Sequence, residues 1–177
     1  LYRGLLLLGL HDTAAVALDI GPSTGGFTDV LLSRGAAKVY AIDVGTNQLA
    51  WKLRRDARVI VHEHPNARHL SSEQVPEPVD IVVCDASFIG LAKVLEVPLR
   101  FARPGAKLIA LVKPQFEAGR GEVGKGGVVR DLSIHERVCD EAARWVESQG
   151  WTVLGVTESP ITGPEGNVEF LLAAAKR

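Results

Sequence analysis

Residues 17–29 read Ala-Leu-Asp-Ile-Gly-Pro-Ser-Thr-Gly-Gly-Phe-Thr-Asp: an apolar run that closes on Asp19, a glycine-containing turn, and the start of a helix. Such a turn lets the backbone approach a ligand closely and aims a helix N-terminus at it. A second apolar run ends at Asp43, 22 positions after Gly21. That spacing suits a carboxylate gripping the hydroxyls of a ribose. A dinucleotide fingerprint needs Gly-x-Gly-x-x-Gly, and here Ser23 stands at the middle glycine. A phosphate-cradling Walker loop needs Gly-Lys followed by Ser or Thr, and the turn has no lysine. What remains is a ligand with a ribose and an adenine but no phosphates to neutralise, and S-adenosylmethionine fits that description. A ligand-free α/β turn would show the same glycines; Asp43 is what favours a cofactor.

These residues need strands to carry them. Alternating apolar and helical patterns predict strands at 16–20, 38–43, 58–62, 79–85 and 106–113. Helices are expected at 26–33, 47–55 with Asn47 as cap, 91–102 with a stop at Pro104-Gly105, and 133–149. Residues 65–70 and 114–131 read as loops. Two last strands, 151–159 and 168–175, have only a turn between them and should pair antiparallel. The expected fold class is α/β, a doubly wound Rossmann-like sheet, mostly parallel with an antiparallel final strand. Ligands in such sheets bind at the carboxyl ends of the parallel strands. Asp19, Asp43, Asp85 and Lys113 each close a predicted strand, and Glu169 opens the antiparallel one at the same edge. Asp85 could equally cap the next turn, Lys113 could be a solvated strand end, and Glu169 alone could be a surface carboxylate.

The chain has 177 residues, enough for one domain with a proper core. Its 46% hydrophobic and 23% charged residues are those of a globular protein. No apolar run approaches the ~20 residues a membrane-spanning helix requires, and Leu5 to Leu8 is too short for a signal peptide, so stable membrane insertion is not expected. Isolated Cys84 and Cys139 suit a reducing, cytoplasmic setting. The net charge of −1 means that an RNA substrate would have to be held by a local patch or a further domain. A start at Leu1 and the lack of methionine suggest that residues are missing near the start, and 1–15 reads as a remnant or linker ahead of a domain at 16–177.

Five segments occur in order: 19–29; Cys84-Asp-Ala-Ser-Phe-Ile89; Leu111-Val-Lys-Pro-Gln-Phe-Glu117; Val123-Gly-Lys-Gly-Gly-Val-Val-Arg-Asp131; and Ser159-Pro-Ile-Thr-Gly-Pro-Glu-Gly-Asn-Val-Glu-Phe170. Together they resemble the TlyA (hemolysin A) family, from about Val16 to the C-terminus. The resemblance implies an FtsJ-like, S-adenosylmethionine-dependent methyltransferase acting on the ribose 2′-hydroxyl of ribosomal RNA. It also implies an N-terminal S4-like RNA-binding domain that this chain does not contain. FtsJ-like enzymes use a Lys-Asp-Lys-Glu tetrad, and Asp85, Lys113 and Glu169 match its last three members. No lysine precedes Lys38, and Arg3-Gly4 reads as a remnant of the segment that should carry the first.

On this reading Lys113 is the candidate for directing the acceptor hydroxyl and accepting its proton. The latter needs a lowered pKa, which the missing first lysine would have supplied, so positioning and electrostatics are the safer role. Asp85 orients Lys113 near the methyl donor, and Glu169 fixes the lysine or the substrate ribose. Gly21, Ser23, Thr24, Gly25 and Gly26 should line the methionine end of the cofactor, with Asp19 at the strand end behind them. Asp43 should hold the ribose, and Asn66 and Ala67, with Arg68, should lie by the adenine; Asn66 could equally be a plain turn residue. Phe27 reads as helix packing.

Gly119-x-x-x-x-Gly124-Lys125 mimics a Walker loop, but Gly126 replaces the magnesium-binding hydroxyl. Arg120, Lys125 and Arg130 read instead as a lid touching RNA phosphates, or as a solvated loop. His62, His64 and His69 lack the partners of a metal site, so no metal is expected. Arg54, Arg55 and Arg58 fit a solvated helix end better than a nucleic-acid patch. Two other functions compete with RNA methylation: a cytolysin, and a catalytically silent RNA-binding domain with a retained cofactor pocket. A base-nitrogen methyltransferase is disfavoured, since Asp85-Ala-Ser-Phe88 stands where an Asn/Asp-Pro-Pro-Tyr-like motif would be.

Overall fold

The computed structural model describes residues 14–177. The Arg3-Gly4 remnant and the Leu5–Leu8 run therefore lie outside the described residues. Seven strands form one sheet: β1 Val16–Ile20, β2 Lys38–Asp43, β3 Val59–Glu63, β4 Val79–Cys84, β5 Ala102–Val112, β6 Trp151–Glu158 and β7 Phe170–Lys176. Their order is β3-β2-β1-β4-β5-β7-β6. The first five pair in parallel, and β7 runs antiparallel to both β5 and β6. The mostly parallel doubly wound sheet is thus as expected.

Alternation along the strands feeds two cores. Leu18, Ile20, Tyr40, Ile42, Val82 and Leu108 face one side, under α3 (Leu91–Leu95) and α5 (Leu132–Ser148). Ala17, Val39, Ala41, Val83 and Ile109 face the other, under α1 (Gly26–Ser33) and α2 (Trp51–Arg54). With both faces covered, the central strands read as continuous apolar runs rather than alternating ones. Phe27 packs against the second core.

Several boundaries differ from the sequence reading. The helix expected over 47–55 is only α2, because Asn47 takes a left-handed φ of 54° and Ala50 stands at the N-cap. The helix expected over 91–102 breaks into α3 and a 3-10 turn, Pro98–Phe101. Strand β5 begins four residues early: Ala102 pairs with Val79 and Lys107 with Ile81, so residues 103–106 bulge around Gly105 at φ 80°. The loop after Lys113 contains α4 (Pro114–Glu117) and a 3-10 turn, Lys125–Gly127. Asp131 caps α5 by accepting from the Ser133 amide at 2.8 Å, so the helix starts at Leu132, one residue before the expected start. Among the described residues no helix is long and apolar enough to cross a membrane.

Candidate active site

Sheet register brings the separated motifs together. Residues Val112 and Phe170 are the outermost pair of the β5–β7 ladder, so Lys113 and Glu169, the next residue on each side, leave the sheet at the same edge. Glu169 precedes β7 rather than opening it. On the other side of β4, Ile20 pairs with Cys84. Beyond that pair the Asp85 amide donates to the Ile20 carbonyl at 3.0 Å, and the Gly21 amide to Ile42 at 3.0 Å. Gly21 sits at φ 73°, and a Cβ there would lie 3.1 Å from both the Asp85 carbonyl oxygen and the Ala86 Cα. Only glycine lets β1 turn this close to the β4 exit.

Lys113 is 7% exposed, and its ammonium donates to Asp85 Oδ1 at 2.6 Å and to Ser87 Oγ at 3.1 Å. Two of the three N–H groups are thereby placed. Glu169 is buried, and Gln115 Nε2 donates to its Oε1 at 3.1 Å. Burial pushes the Glu169 carboxyl above its ordinary range; Lys113 and Gln115 pull it back, and the Asp85 charge adds to the rise. Asp85, Lys113 and Glu169 therefore form one electrostatic group, built from three strand ends far apart in the chain. A neighbouring contact fixes the frame: Glu117 Oε1 accepts from the Leu91 amide at 2.6 Å, tying α4 to the start of α3.

A cavity of about 560 Å³ opens beside this group, within the range of roughly 300–1,000 Å³ typical of small-ligand sites. Gly21, Ser23, Asp43, Asn66, Ala67 and Asp85 line it. Asp43 is held by the Gly45 amide on Oδ1 at 2.9 Å and the Ser23 amide on Oδ2 at 3.2 Å. Asn66 caps the 3-10 turn Ala67–His69, accepting from the Arg68 amide at 3.1 Å, so it is a turn residue, and it also stands on the cavity wall.

Thr24, Gly25 and Gly26 do not line the cavity, contrary to the sequence expectation. A Cβ on Gly25 would sit 2.2 Å from Leu53 and 2.7 Å from Leu49, so this glycine exists for packing of α1 against the α2 region. Thr24 turns its carbonyl to the Ala50 amide at 3.0 Å. Gly26 opens α1 with free space around it. Asp19 is also off the cavity wall and wholly buried; its Oδ2 accepts from Thr28 Oγ1 at 2.6 Å. Burial raises its pKa to about 7, with the Asp85 and Asp43 charges adding to the rise and Thr28 opposing it. Among the described residues, Asp19 Oδ1 has no hydrogen-bond partner.

The sequence reading missed other parts of the wall, among them Val44, Gly45 and Gln48 after β2, and Ala86, Ser87, Phe88 and Ile89 after β4. Phe88 is 89% exposed at a φ of 65°, and its ring tilts against Phe116 at 5.1 Å between centroids. Such a conformation in a bulky residue marks a place where the surroundings dictate the backbone. The position of segment 84–89 at the end of β4 is the sequence signal that points to these neighbours.

The basic loop is anchored rather than free along its second half. Asn167 Oδ1 accepts from the Val129 amide at 3.1 Å, Asn167 Nδ2 donates to the Gly127 carbonyl at 3.0 Å, and His135 Nε2 lies 2.8 Å from the Val129 carbonyl. Arg120, Lys125 and Arg130 remain exposed. Arg54 pairs with Glu63 and Arg58 with Asp56, while Arg55 lies over the Trp51 ring. Among the described residues there is no group of three or more His, Cys, Asp or Glu side chains that could hold a metal.

Comparison with known proteins meets this geometry from the other side. A 16S/23S rRNA (cytidine-2′-O)-methyltransferase TlyA of Mycobacterium tuberculosis is 51% identical over 172 residues, 94% of this chain and 64% of that protein. The chain thus spans less than two thirds of that relative's length. A protein named hemolysin A from Brachyspira hyodysenteriae is 41% identical, matching 97% of this chain and 72% of its own length. A solved structure from Lactococcus lactis, described as a hemolysin, superimposes with a TM-score of 0.94 at 42% identity, covering 99% of this chain and 85% of that one. The model of the FtsJ-like methyltransferases matches residues 6–176, and the chain belongs to that family.

Proposed function

We propose that this chain is the methyl-transferring domain of an S-adenosylmethionine-dependent 2′-O-methyltransferase of ribosomal RNA, working in the cytoplasm. The observation that carries this reading is a single sheet edge on which the Lys113–Asp85 pair, with Glu169 beside it, borders a cavity bearing Asp43.

The residues present fit the proposed donor. Asp43 projects a carboxylate into the cavity with its position fixed by two backbone amides, as gripping a ribose diol requires. Asn66 and Ala67 stand further round the wall, where a planar base would lie. Asp85 supplies negative charge beside the Gly21 turn, and Asp19 behind it once ionised above its raised pKa of about 7, which suits a cationic ligand. When bound, the donor supplies an electrophilic methyl group on a sulfonium.

The protein's own residues have to align a weak nucleophile and take its proton. Alignment alone contributes on the order of ~7–11 kcal/mol in well-oriented systems. Held as an ammonium by Asp85 and Ser87, Lys113 keeps one N–H to direct toward the hydroxyl oxygen. The C–O bond forms as the C–S bond breaks, leaving a neutral thioether. The hydroxyl proton passes to Glu169, a carboxylate that burial makes more basic. Phe88, exposed at the cavity mouth and backed by Phe116, offers a face on which the target base can stack. Arg120, Lys125 and Arg130 supply phosphate contacts, supplemented by an S4-like RNA-binding domain in the longer protein.

The test is to incubate ribosomal RNA with the protein and methyl-labelled donor, and to map ribose 2′-O-methyl groups. Lys113→Ala should abolish incorporation while donor affinity stays within about threefold of wild type, since the ammonium faces the acceptor side. Full methylation by that variant refutes the assignment. Because one relative carries the name hemolysin A, erythrocyte leakage measured on the same preparations tells membrane damage apart from methyl transfer.

A further inference from the structure

A second cavity, of about 550 Å³, lies between α5 and the carboxyl end of β6, and the roles above do not use it. Val168 and Phe170, the two neighbours of Glu169, are in its wall, so it adjoins the active edge. Strand register fixes its position. Val156 pairs with Leu172 and Glu158 with Phe170, which puts both on the face under α5, yet α5 leaves them exposed. From α5 itself Leu132, Glu136 and Cys139 turn toward the cavity at helical spacing, and Leu132 is 72% exposed.

Two properties of this groove point to what fills it. Its apolar wall carries three carboxylates, Glu136, Asp140 and Glu158, and no lysine or arginine lines it. None of the three has an ion pair among the described residues, nor do they form part of a metal-holding group there. RNA phosphates would be repelled, whereas lysine and arginine fit twice over, with hydrocarbon stems on the apolar wall and cationic heads on the carboxylates. The second property is that β6 is the edge of the sheet, paired with β7 alone. Between Thr152 and Thr157 it has no charged residue and no proline, the usual guards of an edge, and only a bulge at Leu154 interrupts it. An extended chain added to such an edge gains main-chain hydrogen bonds and turns alternate side chains into the groove.

Resting on the ribosomal RNA reading above, we infer that the β6 edge and its groove dock an extended, lysine- or arginine-bearing segment of a protein of the ribosomal subunit. Proteins that sit on RNA carry such segments because they neutralise its phosphates. A second copy of this chain fits less well, since it would bring the same carboxylates to the contact. Seated beside Glu169, the segment anchors the enzyme next to its target ribose and covers the acidic part of an edge that otherwise has to approach RNA.

The test uses the whole chain with the photo-crosslinker p-benzoylphenylalanine in place of Leu132, irradiated with purified small and large ribosomal subunits. Mass spectrometry should find it joined to a basic segment of a ribosomal protein. The double variant Glu136→Lys with Glu158→Lys should lose that crosslink, and its KM for intact subunits should rise roughly tenfold. Its kcat, and its KM for protein-free ribosomal RNA, should stay within about twofold of wild type. Glu136→Gln with Glu158→Gln should give a smaller effect in the same direction, and thermal melts check that all variants fold. Crosslinks only to RNA, to a second copy or to the protein's own chain overturn the inference, as does no crosslink. So do a crosslink that survives charge reversal, and a reversal that changes KM equally for subunits and for bare RNA. Failure of the wider reading looks different: wild type would methylate neither substrate, and the crosslink would still decide the docking.

Discussion

Asp19 offers a prediction that can be worked through from the coordinates. It is wholly buried, has a hydrogen bond from Thr28 to one oxygen only, and its pKa rises from the ordinary 3.8 to about 7. A displacement of that size corresponds to about 4 kcal/mol between the protonated and ionised forms. The sign follows from proton counting. Between pH 3.8 and about 7 the folded state keeps a proton that the unfolded chain has released, so stability attributable to this group falls as pH rises through that window. Above pH 7 the full cost is present. Asp19→Asn removes the charge, keeps an oxygen for Thr28 and barely changes volume. It should therefore melt higher than wild type at pH 8, with the advantage shrinking steadily toward pH 4. Denaturant unfolding of both proteins from pH 4 to pH 8, at constant ionic strength, measures it. A difference that is flat with pH, or that grows toward acid, refutes the reasoning. The same variant should bind S-adenosylmethionine more weakly at pH 8, because negative charge behind the Gly21 turn favours a cation; stability gained and affinity lost is the expected trade at a functional carboxylate.

Two further outcomes follow from the cavity wall. Asp43→Ala removes the proposed ribose contact and frees the Ser23 and Gly45 amides, so donor affinity measured by calorimetry should drop by roughly tenfold or more, about 1.4 kcal/mol, with the melting point little changed. Gly21→Ala and Gly25→Ala separate site from scaffold: the first presses on Asp85 and Ala86 and should lower methyl transfer, whereas the second presses on Leu49 and Leu53 and should cost about 1–3 kcal/mol of stability in urea unfolding.

How far the sequence reaches depends on the range of the interactions involved. Strands β1 and β2 and helix α1 have the boundaries that apolar runs and glycines predicted, because local patterning and burial agree there. The short helices fare worse. Asn47 carries an adequate capping side chain, yet it takes the left-handed conformation while its amide donates to Glu63, a contact 16 residues away that no local pattern contains. The long helix expected over 91–102 ends early because Pro98 lies within it, and Arg103 and Pro104 belong to a β5 bulge that makes room for one β4 residue, Asp80. Glycines show the same division. Gly21 and Gly25 look alike in sequence, and only the packing partners, Asp85–Ala86 for one and Leu49–Leu53 for the other, reveal that one borders the cavity and the other a helix contact.

The candidate residues were gathered by topology as well as by the Gly21 turn and the family-like segments. Strand ends collect at one edge because parallel connections force them to, so Asp43, Asp85 and Lys113 were placed by counting strands, and Glu169 by seeing that the last strand runs backwards. What counting strands cannot supply is the state of the gathered charges. Lys113 meets Asp85 and Ser87 directly, whereas Glu169 is held by Gln115, and Asp19 is withdrawn beneath the turn with Thr28. The consequence is a division of labour among four acidic residues drawn to one edge. Asp43 is tied by backbone amides, Asp85 by a lysine, Glu169 by an amide side chain, and Asp19 by a hydroxyl with one oxygen to spare. So many carboxylates can share an edge only when each has a different partner or a suppressed charge, since bare like charges at this spacing repel. Of the four only Asp85 has a direct cationic partner; Asp43 keeps its charge on two backbone amides, and Asp19 and Glu169, which have neither, are the two whose pKa values burial shifts upward.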